Sequence, residues 1–334
     1  MGKRPLTAPG AQLYYDDDDD DYRSLRILLV AVLSGRARVL KMEASKAVSI
    51  SFEYVDSTGE VKDKKNPIIF LHAMLCSKKI LGDIPLTVAN NTGRRVYTYD
   101  ARNHDETTHA DESNFSFSFN VDDLFLMMDQ IKTEMPEHPK QLILVGHDMG
   151  GITTIRAALK KPAKFEMVFI VEMYAKPVSN ELISFEFVTT WTNCNQELLE
   201  GTPKEDVTKL SVESLYGKLE QWMKEDNEKA SYLTGKFEYK GSEKSWDACY
   251  STNALVKALK DLEKHQEDYQ GVYEGPTYFL YGTKSHYGVN DAKDSMKKHF
   301  PKAKLVPFEK WSHVFVTDKP AELAKVVVEK INAA

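Results

Sequence analysis

Pro67–Leu71 is a short, continuous apolar run, the pattern of a strand covered on both faces, and strand-like runs of similar length recur at Val96–Tyr99, Gln141–Val145, Met167–Val171, Thr277–Tyr281 and Lys304–Phe308. Val48–Val55 precedes them and alternates apolar with polar residues, as a half-buried strand does, before a turn at Asp56-Ser57-Thr58-Gly59. Helical patterns lie between. Val121, Leu124, Phe125, Met128 and Ile131 repeat at helical spacing over Asn120–Lys132 behind an Asn able to cap the first turn, and Ile152, Ile155 and Leu159 follow the Gln141–Val145 strand. A last helix is expected from Asp318-Lys319-Pro320, with Leu323, Val326, Val327 and Ile331 as its apolar stripe. Strands alternating with helices predict an α/β fold with a mostly parallel sheet flanked by helices on both faces.

The interval 178–273 breaks this alternation. It carries helical patterns and many aromatics, including Trp191, Tyr216, Trp222, Tyr232, Tyr239 and Trp246, but no clear buried strand. An insertion between late strands at the carboxyl edge of a sheet is where a cap over a pocket would sit, so the reading is a helical cap at 178–273 on a core formed by 46–177 and 274–334. Residues 1–45 stand apart. Asp16–Asp21 is an unbroken acidic run expected to stay solvated and disordered, and Arg23–Met42 is rich in arginine and aliphatics without an acid, the composition of an organelle-targeting segment.

Charge and cysteine usage narrow the function classes. A net charge of −6 disfavours binding nucleic acid or anionic lipid through overall charge, and leaves a small-molecule or lipid-like substrate as the expected partner. The three cysteines, Cys76, Cys194 and Cys249, have neither disulfide-framework nor zinc spacing, so no metal or cofactor is expected. No apolar run approaches the roughly 20 residues that a membrane-spanning helix needs. Nothing in the pattern fixes an oligomeric state.

The chemistry concentrates between strand and helix at Gly146-His147-Asp148-Met149-Gly150. This fits a nucleophile elbow, G-x-nucleophile-x-G, with Asp148 where Ser is usual; the flanking glycines let the turn tighten and lift the central side chain from the sheet. A nucleophile needs N–H donors for developing negative charge, and those of Met74 and Met149 are the candidates, Met74 because Ile68–Leu71 runs directly into His72-Ala73-Met74. His313, between the last strand and the last helix, is placed for the base. The acid that orients it should end a strand between elbow and histidine. The Gly282–Tyr287 loop has no carboxylate before Asp291, whereas Glu172 directly follows Val171, so Glu172 is preferred over Asp291, Asp247 and Asp261.

From about Ala47 to its end the chain resembles the abhydrolase-domain-eleven-type branch of the α/β-hydrolases. The residues that carry the likeness are Pro67-Ile68-Ile69-Phe70-Leu71-His72, Thr92-Gly93-Arg94-Arg95-Val96, Asp100-Ala101-Arg102-Asn103-His104, the Gly146–Gly151 segment and Phe300-Pro301-Lys302-Ala303. The resemblance implies an α/β-hydrolase fold, ester or lipid hydrolysis such as acylglycerol lipase-type activity, and a mitochondrial location, with the cytoplasm as the alternative. The chain departs from that branch at Asp148 for Ser, Glu172 for Asp, Ala73 for Gly and Asp105 for Gly. An Asp, Glu and His set with Glu172 at this spacing from Asp148 is similar instead to haloalkane dehalogenases, and an Asp nucleophile is similar also to epoxide hydrolases, although Met149 replaces the Trp of both, Met74 the halide-binding Asn of the former and Leu75 the Pro of the latter.

The nucleophile decides what can be attacked. A carboxylate is ionised at neutral pH and opens a saturated carbon bearing a leaving group to give an alkyl ester, whereas its attack on a substrate ester gives an anhydride. His313, held by Glu172, would then activate the water that hydrolyses the enzyme ester; an epoxide would also need an acid, for which the cap tyrosines Tyr216, Tyr232 and Tyr239 are candidates. The expectation is therefore a hydrolase of small apolar or lipid-like molecules with Asp148, His313 and Glu172 at the triad positions. Its alternatives are an epoxide hydrolase or haloalkane dehalogenase-like reaction, and a non-catalytic binding protein that keeps only the pocket.

Overall fold

Alternation within each strand explains how the sheet is covered. In β2 (Ile68–Leu71), Ile68 and Phe70 face one layer while Ile69 and Leu71 face the other, and all four are buried. The same split recurs in β4 (Leu142–His147) and β5 (Phe165–Val171), where Ile143, Val145, Met167 and Phe169 join the first layer and Leu144, Val168 and Ile170 the second. Strands apolar on both faces are stable only with helices on both sides. α1 (Ile84–Thr92) and α4 (Pro320–Asn332) close the first layer through Ile84, Val88, Leu323 and Val327. The second is closed by α2 (Phe117–Glu134) and α3 (Met149–Lys160) through Leu124, Met128, Ile152 and Ile155.

The structure is a computed structural model and describes residues 48, 50–58, 65–74, 76–107, 116–134, 141–178, 237–240, 245–248, 250–251, 254, 268–285, 287–313, 316 and 319–334. With β1 (Phe52–Val55), β3 (Val96–Tyr99), β8 (Thr277–Gly282) and β9 (Ala303–Phe308), the main sheet has seven strands in the order β1-β3-β2-β4-β5-β8-β9. Only β1 runs antiparallel to its neighbour; every other pairing is parallel. This is the expected α/β architecture. Ligand sites of such sheets lie outside the carboxyl ends of the strands, and those of β2, β4 and β5 deliver His72, Asp148 and Glu172 to one edge.

Two local expectations shift. The helix expected from Asn120 begins at Phe117, and Ser116 caps it by accepting the Phe119 N–H on its hydroxyl at 3.2 Å. Asn120 thereby falls inside the first turn. Lys319, not Asp318, stands at the N-cap of α4, with Pro320 opening the helix. The N-terminal extension 1–45 and most of 178–273, including Trp191, Tyr216, Trp222 and Tyr232, lie outside the described residues. Within that interval, β6 (Phe237–Lys240) and β7 (Ser245–Ala248) form an antiparallel hairpin where only helices were expected. The chain then returns to the core beside the β3 loop, Tyr250 bridging His104 and the Ser251 N–H donating to Asn103 O at 2.7 Å. No described helix is long and apolar enough to cross a membrane.

Candidate active site

Asp148 occupies the turn between β4 and α3 with φ 52° and ψ −113°, a conformation that costs a non-glycine residue about 1–3 kcal/mol unless its surroundings impose it. The surroundings do. Its N–H donates to Val171 O at 3.0 Å, tying the turn to β5, and the Gly150 N–H donates to His72 O at 3.1 Å, tying it to the loop after β2. A Cβ at Gly146 would run into the Gly150 carbonyl, and one at Gly150 into the Leu71 carbonyl, so both glycines are required by close approach. The result is a carboxylate raised above the edge of the sheet, 6% exposed.

The Met74 N–H donates to Asp148 Oδ1 at 3.1 Å, and the Met149 N–H also bonds the carboxylate. The Met74 loop is itself held: His72 accepts the Ala101 N–H on Nε2 at 2.9 Å and places Nδ1 2.7 Å from Ala73 O, so that ring is neutral with its proton on Nδ1. Burial keeps it so by pushing the His72 pKa down. Asp148 Oδ2 faces a different group. His313 Nε2 lies 3.6 Å from it, while His313 Nδ1 lies 3.3 Å from Glu172 Oε2. Glu172 is fully buried at the end of β5 with φ 58°, and its other oxygen accepts the Gly282 N–H. Asp291, the alternative acid, is exposed in a 3-10 turn at Val289–Ala292. Asp247 lies in the β6–β7 hairpin, and Asp261 is outside the described residues.

Burial pushes the Asp148 carboxyl up, but His313, His147 and the two N–H groups outweigh it and hold the carboxyl below the ordinary carboxylate range. Asp148 is therefore an anion at neutral pH, met among the described residues by dipoles and an imidazole and by no lysine or arginine. His147, beside it, is pushed down to about 3 by burial and by His313, whose ring centroid is 5.3 Å away. His147 is thus neutral at physiological pH.

The sequence profile of the alpha/beta hydrolase fold family matches residues 66–320. The chain belongs to the alpha/beta hydrolase family. It is a hydrolase of that family, and its relatives agree in extent. The sn-1-specific diacylglycerol lipase ABHD11 of Danio rerio is 26% identical over 303 residues, 88% of this chain and 86% of that protein. Among solved structures, a marine microorganism esterase superposes with a TM-score of 0.66 at 18% identity, covering 84% of this chain and 98% of its own. A laboratory-evolved variant of potato epoxide hydrolase StEH1 gives 0.60 at 18% identity, with 90% and 100% covered. Identities this low establish the shared fold.

One residue of this hydrolase's site escaped the sequence reading. Tyr287 donates its O–H to Asp148 Oδ2 at 3.3 Å and stacks on His313, ring centroids 4.4 Å apart. Tyr287 lies five residues past the end of β8, in the loop that has no carboxylate before Asp291. The cap tyrosines expected instead, Tyr216 and Tyr232, fall outside the described residues; Tyr239 lies in β6. Asp105 has φ 38°, a conformation that glycine adopts most readily, and pairs with Lys79 at 3.1 Å. Among the described residues, no cluster of His, Cys, Asp and Glu is arranged to hold a metal.

Proposed function

We propose that the chain hydrolyses small, apolar, lipid-like molecules through a covalent ester on Asp148, with His313 as the base that activates water and Glu172 as the group that orients it. The observation that carries this reading is the division of labour between the two oxygens of one carboxylate. Oδ1 is held by the Met74 N–H, in the place where a serine hydrolase would receive the oxygen of its substrate's carbonyl. Oδ2 is turned toward His313. Donors already engaged by the enzyme's own carboxylate are suited to a negative charge that develops on Asp148 itself.

The steps follow from that arrangement. Oδ2 attacks a carbon bearing a leaving group, forming an Asp148 alkyl ester and breaking the carbon–leaving-group bond. His313 then takes a proton from water, the hydroxide adds to Asp148 Cγ, and the charge gathers on Oδ1 at the Met74 N–H, with the Met149 N–H also on the carboxylate. Collapse expels the product alcohol, which receives the proton from His313. Glu172, buried with its other oxygen fixed on Gly282, keeps the imidazole proton on Nδ1, so that the lone pair on Nε2 acts as the base.

The relatives favour a second reading, direct hydrolysis of an acyl ester, because the Danio rerio protein is named a diacylglycerol lipase. The same likeness supports a lipid-like substrate under either reading. One turnover in heavy-oxygen water, with protein in excess over a panel of epoxides, haloalkanes and monoacyl or diacyl glycerols, separates them. The enzyme-ester reading expects the label in the Asp148 carboxylate, read by peptide mass spectrometry. Turnover that labels only the product, or that survives Asp148→Ala, overturns it; no turnover on any of these substrates favours a binding protein.

A further inference from the structure

The loop after β8 brings a phenol to the attacking oxygen, and the water-activating groups do not use it. Tyr287 O–H reaches Asp148 Oδ2, the oxygen left outside the Met74 contact, and its ring lies nearly parallel to His313 at 25°. A substrate carbon approaching Oδ2 therefore arrives beside a proton donor. Burial, with the negative charges of Asp148 and Glu172 nearby, holds Tyr287 well above the ordinary phenol value, so it is protonated throughout the working pH range.

We propose that Tyr287 is the acid of the first step, donating its proton to an oxygen leaving group, and that this selects an epoxide over an alkyl halide as the substrate class. The proposal rests on the enzyme-ester reading above. Oδ2 bonds to one carbon of the three-membered ring, the carbon–oxygen bond breaks, and its electron pair stays on oxygen, which takes the Tyr287 proton. The products of this step are a hydroxyalkyl ester of Asp148 and a Tyr287 phenolate. The same step converts the Asp148 anion to a neutral ester, removing a charge that disfavoured the phenolate.

The second step restores both groups. After water addition through His313 and release of the diol, Asp148 is left as a carboxylic acid, and its proton returns to Tyr287 across the hydrogen bond they already share. Overall, one epoxide and one water give one diol, with no other reactant. A halide departs as a stable anion and has no use for the phenol.

The test mixes excess protein with styrene oxide, a mid-chain fatty epoxide or phenethyl bromide, and follows adduct mass on the Asp148 peptide beside near-ultraviolet absorbance. Wild type is expected to acquire the hydroxyalkyl mass from an epoxide with a transient tyrosinate absorbance rising in step. Tyr287→Phe keeps the ring that stacks on His313; it is expected to alkylate at least ~100-fold more slowly with epoxide, with no absorbance transient, while the adduct once formed hydrolyses at the wild-type rate. Y287F alkylating as fast as wild type, or losing adduct hydrolysis to the same degree, or slowing equally with phenethyl bromide, overturns the role of Tyr287 and leaves the enzyme-ester reading standing. No adduct on wild-type Asp148 from any of the three compounds overturns that reading and the proposal together.

Discussion

In the loop after β3, buried carboxylates are met by cations. Asp100 binds the Lys78 ammonium and the Lys78 N–H, and Asp123, reaching in from α2, is held by two bonds from the Arg102 guanidinium at 2.6 and 2.7 Å. After β4, only a short distance along the same sheet edge, Asp148 is also buried but is met by two backbone N–H groups, an imidazole and a neutral phenol. Charge neutralised by a fixed cation is a structural device, because the pair is satisfied and its lone pairs are occupied. A carboxylate stabilised by N–H and O–H dipoles and an imidazole, with no fixed cation on it, keeps its charge and leaves Oδ2 able to form a bond. Two deposits of the same functional group are thus assigned opposite work by what surrounds them.

The sharpest break of this comparison is removal of the charge at each place. Asp148→Asn is expected to lower kcat/KM by about 10⁴-fold or more, as loss of a nucleophile does, while leaving thermal stability unchanged or slightly higher, since the strained turn no longer confines an ion. Steady-state kinetics beside a melting curve reads both. Arg102→Met should do the reverse. It strands Asp123 without its partner in a site where both side chains are about 2–3% exposed, and unfolding in urea should show a loss of about 3–5 kcal/mol. The double variant Arg102→Met/Asp123→Leu should recover much of that, and an equal loss in the double variant would mean that packing rather than charge is responsible.

Glu172→Gln sharpens the comparison from the side of His313. The amide keeps the shape and the contact to Gly282 but offers His313 Nδ1 a neutral partner, so an activity loss of roughly 10²–10⁴-fold is expected, borne by hydrolysis of the enzyme ester. An alkyl adduct should therefore accumulate on Asp148 of E172Q and be visible by intact mass. If E172Q turns over normally, the 3.3 Å contact orients nothing.

The two regions were not equally legible. The apolar strand runs and the glycines around Asp148 state their purpose locally, because a strand buried on both faces and a turn with backbone at van der Waals contact leave few residue types possible. Glu172 could be found by its place at a strand end, even though its φ of 58° was not foreseeable. Tyr287 was hidden because a tyrosine in a loop carries no pattern of its own; its role depends on His313, contributed from beyond β9, lying under its ring. The Arg102–Asp123 pair was equally silent, joining a loop to a helix face across 21 positions. The hairpin Phe237–Lys240 with Ser245–Ala248 was missed because its aromatics read as helix-compatible and its partner strand had no apolar run.

The smallest expected effect concerns His147, the buried imidazole between these worlds, which has neither a cation's partner nor a place in the chemistry. Burial and His313 hold its folded-state pKa near 3, far below the ~6.5 of an unfolded chain. Below pH ~6.5 the unfolded chain takes up a proton that the folded one refuses, so this residue makes the fold lose stability as pH falls and contributes nothing above that value. The slope is at most about 1.4 kcal/mol per pH unit, reached well below ~6.5 and ending as pH approaches the folded value. His147→Gln removes the titrating group while keeping a side chain of similar length. Urea midpoints measured for both proteins at neutral pH and near pH ~5 should converge less in the wild type than in H147Q: the variant is expected to hold more of its neutral-pH stability in acid. An identical acid dependence in the two would mean that His147 finds a proton in the folded state, and that its ring opens to water beside Asp148.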